Sequence, residues 1–141
     1  MRAALLLALA ILAGCTTVTT PRKAPPSGLG SISGKILYPS EVVPQMRICA
    51  IPAGQAPLCI ENPAGQTSYR IDRLAAGQYT VLVSLSEGDI RKGGHVHQVQ
   101  CIRAPCPAQP MTVTLEAGTD AQGVDITGFF AEGDPFPSIP R

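Results

Sequence analysis

Tryptophan is absent from this chain of 141 residues, and tyrosine and phenylalanine number three each. A core built with so few large rings must be thin and aliphatic, and such a core benefits from covalent cross-links. Charge is also scarce. Charged residues make up 15% of the chain, and the formal net charge is +1, which Arg2 alone accounts for. No basic patch is present for a phosphate backbone, and no acidic tail for solvation, so nucleic acid is not an expected partner. Long apolar runs are missing. The run Ala3 to Ala13 has eleven residues, and as a helix it would rise about 16 Å against a hydrocarbon core of about 30 Å. It is too short to span a membrane. No later stretch shows helical spacing over ten residues, which argues against an α-helical domain. A phosphate-binding loop, a dinucleotide fingerprint and a G-x-S-x-G nucleophile turn are likewise missing.

What is present begins at the N-terminus. Met1-Arg2 is a short basic start, followed by the apolar run and the small residues Ala13 and Gly14. This is the make-up of an export signal. Its end, Leu12-Ala13-Gly14-Cys15, closely resembles the lipobox of bacterial lipoproteins. The resemblance implies that residues 1–14 are removed as a signal peptide and that Cys15, newly N-terminal, carries a thioether-linked lipid. Its acyl chains would anchor firmly, each buried methylene contributing about 0.8 kcal/mol. In Gram-negative lipoproteins an aspartate after the cysteine implies retention in the inner membrane. Thr16 stands there, so the resemblance implies the outer membrane, with the domain facing the periplasm.

Four further cysteines remain, Cys49, Cys59, Cys101 and Cys106. An even count in an exported chain predicts a disulfide framework, with three pairings open. Proximity in sequence favours Cys49–Cys59, joining neighbouring strands, and Cys101–Cys106, closing the loop CIRAPC. The first needs facing Cα atoms within about 7 Å.

Residues 15–30 are rich in Thr, Pro and Gly and read as a lipidated flexible tether. From residue 31 apolar and polar residues alternate. Ile32, Gly34, Ile36 and Tyr38 share one face, and Met46, Ile48 and Ala50 share another. Leu58-Cys59-Ile60 is a short strand between prolines. Tyr69 and Ile71, then Tyr79, Val81, Val83 and Leu85, predict an antiparallel hairpin turning at Ala75-Ala76-Gly77. Gly88 to Gly94 reads as a polar loop and Val96 to Ile102 as a poorly patterned strand. Met111 to Glu116 and Val124 to Phe130 close the set, with Ala117 to Gln122 as a turn. Ala131 to Arg141 is Pro-rich and reads as an unstructured tail. The expected fold is all-β, a single antiparallel sandwich of about seven to eight strands over residues 31–130.

The order of these stretches resembles a carboxypeptidase regulatory-like domain, a transthyretin-like β-sandwich. The matching residues are I-S-G-K-I (Ile32 to Ile36), R-I-C-A-I (Arg47 to Ile51), Y-R-I-D-R-L-A-A-G-Q-Y-T-V (Tyr69 to Val81), M-T-V-T-L (Met111 to Leu115) and G-V-D-I-T (Gly123 to Thr127). In that family the domain is an accessory fold without catalysis. At the corner, Gly77 is free to take a positive φ, and Tyr79 can bury its ring while its hydroxyl caps a backbone group.

For chemistry, His95-x-His97 is the most suggestive feature. On a strand both imidazoles share a face, with Cys101 at the same parity. Imidazole pairs suit copper or zinc. A structural zinc takes four ligands, and the thiols are expected to be oxidised, so the ordinary reading is two solvated histidines beside a glycine loop. Met46 and Met111 are soft donors, but each falls where a core residue is expected. Asp72, Asp89, Asp120 and Asp125 are scattered and predict no carboxylate pair. The expectation is therefore a non-catalytic, membrane-anchored envelope lipoprotein without cofactor. Its sandwich would serve as an accessory or binding module for a protein or glycan partner. The alternative is a periplasmic copper- or zinc-binding protein using His95 and His97.

Overall fold

A computed structural model describes residues 28–97 and 108–140. Among these the structure is all-β. Nine strands form two sheets packed as a sandwich: β1 (Gly30–Lys35), β2 (Met46–Pro52), β3 (Leu58–Asn62), β4 (Ser68–Leu74), β5 (Gly77–Ser84), β6 (Ile90–Gly94), β7 (Thr112–Leu115), β8 (Asp120–Ala121) and β9 (Gly128–Ala131). The smaller sheet has the order β4-β1-β8 and the larger β3-β2-β5-β6-β9, with β7 also on β5. One edge of β5 is shared: its residues 82–84 pair with β6 and its residues 77–80 with β7.

The alternating apolar residues meet between the sheets. Ile32, Ile48, Ile71, Leu74, Val81, Val83 and Ile126 are almost fully buried there, each contributing about 1.5–3 kcal/mol by burial. Arg70 and Asp72 point outward, as the pattern requires. Leu82 breaks the pattern and is buried on the outer face of the larger sheet, against Val96 and Phe136.

Several expectations are corrected. β4 and β5 do not form a hairpin. β4 pairs with β1 and β5 with β2, so Ala75-Ala76 carries the chain from one sheet to the other. Strands of opposite sheets share one core, and a corner shows the same period-two pattern as a hairpin. The Tyr79 hydroxyl ties this corner by donating to the Ala75 carbonyl at 2.7 Å. Gly77 does not take a positive φ; Arg73 does, at 64°. Between Gly30 and Ile32 the register with β4 slips by one residue, so Asp72-Arg73 form a bulge that bends this edge strand.

The stretch expected as a polar loop contains β6. Its Gly93 and Gly94 read as breakers but serve close packing. A methyl at either position would lie 2.3–2.5 Å from the Gly128 or Val81 carbonyl oxygen. The expected turn at 117–122 holds the short β8, parallel to β1. Beyond it, Val124 and Ile126 N–H groups donate to the Ser33 and Lys35 carbonyls, continuing that parallel edge before β9 joins the other sheet.

The tail is packed as well. Phe136 is 5% exposed and stacks on Phe130 at 4.3 Å. Lys92, 7% exposed, donates from Nζ to the Glu132 and Asp134 carbonyls at 3.0 and 2.7 Å. One aromatic ring and one lysine are enough to hold a segment whose prolines suggest disorder.

Candidate functional site

His95 follows directly on β6, and its main chain is held from two sides. Its N–H donates to the Val81 carbonyl at 3.0 Å, and its carbonyl accepts from Met111 N–H at 2.8 Å. Its ring Nδ1 lies 2.7 Å from the Asp125 carbonyl oxygen. Val96, next in the chain, is buried against Leu82 and Phe136 and bridges to Pro110. His97 is exposed. Of the strand expected over Val96 to Ile102, Val96 and His97 alone lie within the described residues, and the histidines sit just past the end of β6.

Of the two methionines weighed as soft donors, Met46 is a core residue at 2% exposure, as expected. Met111 is not: it is 36% exposed, immediately before β7 and hydrogen-bonded to His95. Sequence reasoning weighs Met111 as a soft donor but sets it aside as a core residue. Its place beside His95 is not legible because residues 95 and 111 are remote in the chain and share no motif. Among the described residues no three His, Cys, Asp or Glu side chains cluster as a metal-ligand set.

Cys49 and Cys59 are bonded, S–S 2.02 Å, at directly opposed positions of β2 and β3 with Cα atoms 4.0 Å apart. The expected link between neighbouring strands is present. Cys15, the expected lipidation position, and the expected Cys101–Cys106 pair lie outside the described residues.

The structure gathers two of the scattered aspartates around one guanidinium. Arg70 Nε reaches Asp72 at 2.6 Å, and its Nη2 reaches Asp120 at 3.2 Å. Asp120 also accepts from the Ser31 hydroxyl at 2.6 Å. The Ser31 hydroxyl, with Arg70 adding, holds the Asp120 carboxyl below the usual aspartate range. A general acid needs the opposite shift, so Asp120 is suited to pinning β8 onto β1. Its folded value is lowered. The stabilisation is therefore present above the ordinary aspartate value and is lost as pH falls through the depressed one. We expect the advantage of the wild type over Asp120→Asn to be greatest near neutrality. It should shrink in thermal melts recorded at progressively lower pH. Because the groups are exposed, the effect is small.

Beside this cluster lies an open groove lined by Ser33, Lys35, Ser68, Gln122 and Asp125. Asp125 Oδ1 accepts the Lys35 N–H at 2.8 Å and so serves strand pairing. Tyr69 is buried beneath, its hydroxyl donating to the Val124 carbonyl at 2.6 Å, and burial, with the Asp125 charge adding, pushes its phenol far up. It stays neutral and structural.

No family model, curated protein or solved structure matches this chain.

Proposed function

We propose that the protein is a non-catalytic lipoprotein of the bacterial cell envelope, anchored through Cys15, whose β-sandwich is a binding module for another envelope protein. The observation that carries this reading is Leu12-Ala13-Gly14-Cys15 at the end of a short apolar run. Two features support it. The Cys49–Cys59 bridge fits an oxidising compartment outside the cytosol. The residues between Cys15 and β1 are rich in Thr, Pro and Gly, a composition that suits a tether.

A protein partner fits better than a glycan. All six aromatic residues lie within the described parts, and each is buried or half-buried. None is exposed, which leaves little ring surface for a sugar to stack on. The sheet edges are better suited to recognition. β4 is blunted by its bulge and by Arg70 and Asp72. β3 pairs only with β2 among the described strands, so its outer edge is open to an added strand.

Anchoring is tested by replacing Cys15 with serine. The wild type is expected in the membrane pellet and the detergent phase, with incorporated labelled palmitate. Cys15→Ser should carry no label and leave the membrane fraction. Equal pelleting of both forms without label overturns the reading.

A further inference from the structure

We propose that His95, His97 and Met111 bind one Cu(I) ion at the place where β6 and β7 part along the edge of β5. The first support is the tautomer of His95. Its Nδ1 faces the Asp125 carbonyl oxygen at 2.7 Å, and a carbonyl can only accept. Nδ1 therefore carries the proton, and Nε2 keeps its lone pair for a metal. Ligating histidines are held in this way, by the second ring nitrogen donating to a carbonyl or carboxylate. The backbone of His95 is fixed too, between Val81 and Met111.

The second support is Met111. A methionine preceding an alternating strand belongs in the core by pattern, yet this one is 36% exposed and is hydrogen-bonded through its backbone to His95. A thioether is a soft ligand that selects Cu(I). His97 completes the set from two residues along the chain. Val96 between the histidines is anchored in the apolar cluster with Leu82 and Phe136, while His97 remains exposed. Thr127 steadies the same turn, its hydroxyl donating to the Val96 carbonyl at 3.1 Å. Two imidazoles and one thioether do not suit structural zinc, which takes four ligands from Cys, His and carboxylates. They suit a monovalent soft ion.

This site goes beyond the anchored-module reading and does not depend on the lipid. The full-length protein in detergent is titrated anaerobically with Cu(I) against a chromophoric chelator, its disulfide left intact. One equivalent should be withdrawn from the chelator, with Zn²⁺ binding about 100-fold or more weaker. Met111→Leu and His97→Ala sit at exposed positions and should leave thermal unfolding unchanged. Each should weaken Cu(I) binding by about 10- to 100-fold, as should His95→Ala. X-ray absorption of the loaded wild type should show one sulfur and two nitrogen ligands. Failure to compete with the chelator, wild-type affinity in Met111→Leu or His95→Ala, or a shell of sulfur alone overturns the proposal.

Discussion

Gly34→Ala is expected to destabilise the sandwich by about 3 kcal/mol, the upper end for an overpacked position. A methyl at position 34 would lie 2.1 Å from the Val124 carbonyl oxygen and 2.4 Å from its carbon. Both are backbone atoms, so no rotamer change relieves the clash. The segment over residues 124–126 must move away from β1. That movement breaks the Val124 N–H bond to Ser33 and the Ile126 N–H bond to Lys35. It also withdraws the acceptor of the Tyr69 hydroxyl and shifts Ile126, which is fully buried. The melting temperature should fall by roughly 15 °C. Gly133→Ala, where nothing lies within 4 Å of the added methyl, is the matched control and should be nearly neutral. Equal melting of the two variants would refute the close approach.

The second large effect concerns the cross-strand bridge. Cys49→Ala/Cys59→Ala opens a link spanning 10 residues, and chain entropy assigns such a loop about 3 kcal/mol. The loss has a structural side. β3 has β2 as its only strand neighbour among the described residues, and Cys49 is fully buried at the point of attachment. Without the bridge β3 is the first strand to fray. Urea unfolding of oxidised wild type and of the double variant should differ in midpoint by the corresponding amount. Hydrogen exchange should accelerate most at residues 58–62. A change below about 1 kcal/mol would show that β2–β3 pairing holds without the sulfur link.

Much of the sandwich is legible in the sequence because each strand has one face on a common core. Ile48 and Ala50, Tyr69 and Ile71, Val81 and Val83 are all buried in it, while the residues between them, Cys49, Arg70 and Leu82, lie outside that cluster. What alternation cannot carry is sheet membership. Leu74 and Tyr79 face the core from opposite sheets, and the pattern through Ala75-Ala76 is the same as for a hairpin. β6 is illegible for another reason: in Ile90–Gly94 the glycines make room for Val81 and Gly128 backbones, a tertiary requirement with no local signature. The tail misleads because prolines dominate its composition, whereas Phe136 and the Lys92 clamp determine its position. At the candidate copper site, His95 and His97 are visible as a pair. The exposed Met111 and the orienting Asp125 carbonyl are brought there by β7 and by the segment after β8. Neither follows from spacing.

The placement of β8 has a consequence for biogenesis. Among the described residues, β1 finds its second neighbour at Asp120-Ala121, and Ser31 reaches its carboxylate partner 89 residues downstream. Contacts of such sequence separation make assembly slow. A ribosome-bound chain lacking its last quarter has no way to complete the smaller sheet. Tertiary closure is thereby postponed until nearly the whole polypeptide has emerged from the ribosome.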